Sequence, residues 1–178
     1  MSLSVVMAGF GGQGVMLMGQ ILTYAGMIED KRVTWMPSYG PEMRGGTANC
    51  TVIISDQEVG SPVVTNPDVV VAMNLPSMDK FEKLLAPGGT LIYNSTLINR
   101  APVRQDIKAI AVPASEVAQS LGNVRVANMV ALGALLEATG AVLDESISAA
   151  LTKALPAHRH DLLPLNRQAI DLGRGFAR

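Results

Sequence analysis

The first 28 residues limit the fold more than any other stretch of this chain. Residues 3–8, LSVVMA, form a short apolar run with no polar face, and residues 8–16, AGFGGQGVM, a glycine-rich turn. Residues 14–28 then repeat apolar side chains at helical spacing, with Val15, Met18, Leu22 and Ala25 on one face and Leu17, Ile21, Tyr24 and Ile28 on another. A buried strand passing through glycines straight into such a helix reads as the start of a parallel crossover. A helix apolar on two sides packs against the sheet and against something else. Gly19 and Gly26 on it would let a neighbouring backbone come close.

The alternation continues. RVTWM (32–36) reads as a strand ending at Pro37, TANCTVIIS (47–55) as another, and DVVVAMN (68–74), apolar throughout, as a central one. SMDKFEKLL (77–85) is amphipathic and is closed by PGG, while TLIYN (90–94) and IKAIAV (107–112) are further strands. Helices are expected over 114–121, 127–139 and 144–154, with a last one opening at Pro164. No repeat or linker interrupts the 178 residues, so residues 1–178 read as one domain. The pattern predicts an α/β fold: a doubly wound, mainly parallel Rossmann-like sheet, helices on both faces, and a helical C-terminal third.

Charged residues make up 16% of the chain and apolar residues 48%, with net charge -1; ordinary domains carry about 25% charged residues. Without a basic block there is no nucleic-acid groove. The composition fits a core of fully buried parallel strands, and equally an outer surface covered by other subunits. The longest apolar run, 15–28, is broken by Gly19, Gln20, Thr23 and Gly26 and falls short of the roughly 20 residues of a membrane span. The first basic residue is Lys31, so no positive signal region is expected. Cys50 stands alone. That excludes an internal disulfide, fits a reducing cytoplasm, and falls short of the about four thiolates of an iron–sulfur cluster.

Gly9, Gly11 and Gly14 have the G-x-G-x-x-G spacing of a dinucleotide turn, with Gly12 and Gln13 between them. Binding of NAD or NADP also needs an acid about 20 residues on, at the tip of the second strand. That region reads VTWMPS, with Glu29 and Asp30 too early and Arg32 at the strand's opposite end. A P-loop is excluded because no Gly-Lys-Ser/Thr follows. Two readings stay open. The glycines form only a tight packing turn, or they expose a helix start to a phosphate-bearing ligand other than NAD. Gln13 suits either.

A second loop, SYGPEMRGG (38–46), leaves the carboxyl end of the second strand and is expected beside the first, at the edge where ligands bind α/β sheets. It presents Tyr39, Glu42 and Arg44. Arg44 could grip a phosphate or carboxylate bidentately, pair with Glu42 at the surface, or join Tyr39 and Glu42 in a subunit contact. Elsewhere, His158, Arg159 and His160 read as a solvated turn rather than a catalytic or phosphate cluster, Asp161 as a helix cap, Asn128 as a cap or a residue facing a shared site, and Cys50 as packing. The ten methionines read as adaptable core or interface.

GFGGQGV (9–15) followed by PSYGPEMRGGTANC (37–50) resembles the gamma subunit of 2-oxoacid:ferredoxin oxidoreductases. GSPVVTNPDVVVAMN (60–74), KLLAPGGTLIYNS (83–95) and NMVALGALLEATG (128–140) agree, so the resemblance runs through nearly the whole chain. The PEMRGGTANC form is similar to that of the 2-oxoglutarate branch.

The resemblance implies a division of labour. Complexes of this family decarboxylate a 2-oxoacid on thiamine diphosphate, transfer the acyl group to coenzyme A, and pass two electrons through iron–sulfur clusters to ferredoxin. Thiamine diphosphate with its magnesium lies with the alpha and beta subunits, and the clusters with beta or delta. The gamma chain, holding no cofactor alone, would serve assembly and close the coenzyme A side of the site. Gly9, Gly11, Gly12, Gln13, Gly14 and Arg44 would then face an anion or coenzyme A, and Tyr39, Glu42 and Arg44 a partner subunit. The competing reading is a free-standing nucleotide-binding protein or NAD(P)-dependent oxidoreductase using the glycine loop.

Overall fold

The computed structural model describes residues 1–39 and 46–178. Among the described residues six strands form one sheet: β1 (Ser2–Phe10), β2 (Arg32–Tyr39), β3 (Thr47–Ser55), β4 (Val69–Ala72), β5 (Thr90–Asn94) and β6 (Lys108–Val112). Six helices accompany them: α1 (Val15–Ile28), α2 (Leu75–Phe81), α3 (Ala114–Ser120), α4 (Ala127–Thr139), α5 (Asp144–Ala154) and α6 (Leu163–Arg174).

The strand order is β2-β3-β1-β4-β5-β6. β1, β4, β5 and β6 run parallel. β3 is antiparallel to both β1 and β2, so it separates β1 from β2. The expected mainly parallel, doubly wound sheet is present, with this one reversed strand inserted. The insertion makes β2 and β3 antiparallel neighbours whose facing ends stay at the expected edge: Ala48 pairs with Tyr39 on one side and Gly9 on the other.

Strand β2 does not stop at Pro37, as the sequence suggested, but continues to Tyr39. β2 has a partner on one side only, and an edge strand tolerates a residue without an N–H. The amphipathic segment expected over 77–85 instead divides into α2 and a 3-10 turn, Glu82–Leu84.

Each sheet face has its own apolar core. On one face Met7, Val52, Val71 and Ile92 pack with Met18, Leu22, Met129 and Leu132 of α1 and α4. On the other, Val6, Ala8, Val70 and Leu91 meet Met78 and Phe81 of α2. The two-sided apolar pattern of α1 is explained by its burial between sheet and α5. Gly19 and Gly26 admit side chains rather than a backbone: Trp35 and Cys50 press on Gly19, and Val33 on Gly26.

The C-terminal third is helical and closely packed. Residues Ala127 to Leu136 of α4 are all buried, as a helix apolar all round must be. A Cβ on Gly133 would overlap the carbonyl oxygen of Ile170, and one on Gly173 that of Val130, so the backbones of α4 and α6 touch. Asp161 does not cap α6, which starts behind Leu162 without a side-chain cap.

Candidate functional site

The connection from β1 leaves through α1 on one sheet face, and that from β4 leaves through α2 on the other. The carboxyl ends of β1 and β4 are therefore the switch point where open α/β sheets bind ligands. The glycine loop sits there. Gly12 (φ 94°) and Gly14 (φ 74°) adopt left-handed backbone, the region that glycine enters without strain. Gly9 has a packing reason, since a Cβ there would crowd Gln13 and Met73. Gly11 N–H donates to Gly46 O at 3.0 Å, tying the loop to the start of β3.

Gln13 turns inward. Its Oε1 accepts from Phe10 N–H at 2.7 Å and from Asn74 Nδ2 at 2.9 Å, while its Nε2 donates to Met73 O at 3.3 Å. Asn74, just past the end of β4, also caps α2 by accepting from Ser77 N–H at 2.9 Å. Asn94, at the end of β5, donates to Ser115 Oγ at 2.9 Å. Asn128 lies in the first turn of α4, where its Oδ1 accepts from Met129 N–H at 2.9 Å, while its Nδ2 donates to Gly14 O at 3.1 Å and braces the loop from the helical layer. Composition and spacing did not single out Asn74 or Asn94. The signal was the asparagine that closes each of the apolar runs DVVVAMN (68–74) and TLIYN (90–94), at the ligand edge.

Among the described residues no side chain caps α1, and the N–H groups at a helix start without a cap are open to water or a ligand. A cleft of about 430 Å³ opens over them, lined by Phe10, Val15, Met16, Leu17 and Tyr39. A second, of about 260 Å³, lies on the other side of Gly12 and Gly14 and carries Arg125 and Arg159. Tyr39, expected at a contact, is 60% exposed at the mouth of the first cleft. Glu42 and Arg44, on which the rest of that expectation stands, lie outside the described residues.

The remaining sequence candidates are structural. His160 Nε2 lies 2.9 Å from Leu155 O and 3.1 Å from Thr152 O, pinning the turn after α5. Cys50 is buried, its thiol donating to Val15 O at 3.4 Å. Burial pushes that thiol up to about 11, even with Trp35 and the Gly19 backbone beside it. A single buried thiol does not fit an iron–sulfur cluster. The NAD reading fails on topology as well as sequence, because β3 occupies the place beside β1 from which a ribose-binding acid would project.

Residues 4–176 match the family described as pyruvate ferredoxin/flavodoxin oxidoreductase. The chain belongs to that family. Within the pyruvate ferredoxin/flavodoxin oxidoreductase family, ketoisovalerate oxidoreductase subunit VorA of Methanothermobacter thermautotrophicus is 41% identical over 174 residues. The match takes in 98% of this chain and 36% of VorA, so the chain spans little more than a third of that relative. The gamma subunit of a keto/oxoacid ferredoxin oxidoreductase from Geobacter sulfurreducens is 33% identical, with a TM-score of 0.84 over 98% of both chains. A 2-oxoglutarate:ferredoxin oxidoreductase from Magnetococcus marinus, solved with 2-oxoglutarate, coenzyme A and succinyl-CoA bound, superposes with a TM-score of 0.90 at 25% identity, covering 99% of this chain and 31% of that one.

Proposed function

We propose that this chain is the gamma component of a 2-oxoacid:ferredoxin oxidoreductase, and that its glycine-loop edge forms the coenzyme A-facing wall of the assembled site. The observation that carries this is the end-to-end match to a gamma subunit, combined with an uncapped helix start opening into a cleft. In the reaction, a 2-oxoacid and coenzyme A give acyl-CoA and CO2, and two electrons pass to ferredoxin. Thiamine diphosphate, magnesium and the clusters are assigned to alpha, beta and delta partners, since one buried thiol offers no electron path here. We place the complex in the cytoplasm, in keeping with a chain whose lone cysteine is a free thiol.

For the substrate we favour 2-oxoglutarate, on the form of residues 41–50 and on the Magnetococcus structure. Ketoisovalerate is the second reading, favoured by the identity to VorA. Tyr39, Glu42 and Arg44 are assigned to a subunit contact, and Gly9, Gly11, Gly12, Gln13 and Gly14 to the anion-facing wall. The test is reconstitution with and without this chain, followed by assays with each 2-oxoacid. Higher kcat/KM for 2-oxoglutarate, and loss of coenzyme A-dependent turnover when the chain is omitted, are expected. Full activity without the chain would overturn the assignment. Arg44→Ala should weaken subunit association in sedimentation. If instead the complex stays intact and KM for coenzyme A rises about 10- to 150-fold, the size of a lost charged hydrogen bond, Arg44 belongs to the ligand.

A further inference from the structure

We propose that Asn94, at the end of β5, is a positioning residue for the glycine loop, acting through the carbonyl of Met73 and the side chain of Gln13. The proposal rests on the reading above, in which the loop serves the assembled site, and adds a residue on a strand that does not touch β1.

The loop needs ties from outside. Residues 9–14 include four glycines, and glycine imposes little backbone preference of its own. Gly12 and Gly14 both hold left-handed backbone. What selects that shape is the set of bonds made to the loop by ordered neighbours.

Asn94 is 2% exposed, and a buried amide is tolerated when its donors and acceptor find partners. Its Nδ2 donates to Ser115 Oγ at 2.9 Å and to Met73 O at 3.4 Å, and its Oδ1 accepts from Ser115 N–H at 3.3 Å. Turning the amide over would set its oxygen against the Met73 carbonyl, so its orientation is fixed. The backbone is held as firmly. Asn94 pairs with Val112 of β6, and its carbonyl accepts from the N–H groups of Leu97 and Ile98 at 3.1 and 3.0 Å.

Met73 is the junction. Its N–H donates to Ala8 O at 2.9 Å, and its carbonyl accepts from Gln13 Nε2 at 3.3 Å as well as from Asn94. Gln13 in turn accepts from Phe10 N–H at 2.7 Å. A continuous chain of bonds thus runs from Ser115, at the start of α3, through Asn94, Met73 and Gln13 to the backbone of the loop. Such a chain in a dry interior acts as a unit, and loss of one member is felt by the others. Thr96 gives the contrast. Its Oγ1 accepts from Glu116 N–H at 3.2 Å, holding the same helix start, and among the described residues it makes no bond to Met73.

The experiment joins hydrogen exchange of the full chain to steady-state kinetics of the assembled complex, for wild type, Asn94→Asp, Ser115→Ala and Thr96→Ala. Asn94→Asp keeps the side chain's shape but sets a carboxylate oxygen against Met73 O; Ser115→Ala removes a partner that orients the amide. Both should speed exchange over residues 10–16 and raise KM for coenzyme A, each by about 2- to 10-fold, with kcat nearly unchanged and α6 exchanging as in wild type. Thr96→Ala should alter neither reading. Unchanged exchange over 10–16 in both variants, or an acceleration shared equally by α6, would overturn the proposal. If Asn94→Asp does not fold, Ser115→Ala gives the same two readings. Faster loop exchange with KM for coenzyme A at its wild-type value keeps the positioning role and removes the coenzyme A reading. Unchanged loop exchange, with turnover still lost when the chain is omitted, keeps the function and removes the positioning role.

Discussion

The side-chain oxygen of Gln13 lies 2.9 Å from the side-chain nitrogen of Asn74, and that bond joins the two strands whose connections leave the sheet in opposite directions. It fixes the glycine loop to the start of α2, because Asn74 also caps that helix.

Removing either partner strands the other. Gln13→Ala leaves Phe10 N–H and Asn74 Nδ2 without their acceptor, and Asn74→Ala also uncaps Ser77. Each should cost about 1–3 kcal/mol in denaturant unfolding. The double variant should lose less than the two single losses combined, by about 0.5–2 kcal/mol. Strict additivity would show that the bond is not made in solution.

The crossing of α4 and α6 admits no Cβ. Gly133→Ala or Gly173→Ala should each cost about 3 kcal/mol, the upper end for overpacking, because a backbone carbonyl cannot rotate away. Gly60→Ala, in open space, should stay within about 0.5 kcal/mol. Equal melting temperatures for Gly173→Ala and Gly60→Ala would refute the contact.

Glu29 ties the end of α1 to the start of α5: Leu143 N–H donates to it at 2.6 Å and Lys31 pairs with it at 3.0 Å. Burial opposes its charge, but these partners hold the carboxyl below its ordinary value of 4.5. A carboxyl depressed in the folded state adds stability above its unfolded pKa and loses it as pH falls through the folded one. Glu29→Gln should therefore lower the melting temperature at pH 7, with the gap from wild type narrowing below about pH 4.5. A gap that widens on acidification would reverse the assignment.

The raised Cys50 thiol, buried beneath α1, should resist disulfide-exchange reagents at pH 8 in the native chain and react once the chain is unfolded in guanidinium. Prompt labelling of native protein would place Cys50 in reach of solvent.

Strand and helix identities were legible wherever local chemistry dictates them. The run LSVVMA followed by helical periodicity gave β1, the loop and α1, with β1 extending beyond that run to Ser2 and Phe10. The position of β3 was not legible, since hairpin pairing against β1 depends on contacts across the chain. Pro37 misled because its meaning changes between a central and an edge strand. Asn128 looked like a cap from its place at a helix start, and its oxygen does accept from a first-turn N–H, but its second partner, Gly14, belongs to the other end of the chain.

Pro37 also governs how other proteins can approach. Among the described residues β2 leaves one side unpaired, with Met36 and Tyr39 exposed along it. Such an edge ordinarily invites another strand, from a partner or from a misfolded neighbour, to extend the sheet. A strand laid along β2 would find no N–H at Pro37, and the ladder would break near the hairpin tip, close to the glycine loop. The loop-side edge therefore resists fibril-like stacking in the free chain and leaves assembly there to side chains, whose pairing can be selective where backbone pairing is not.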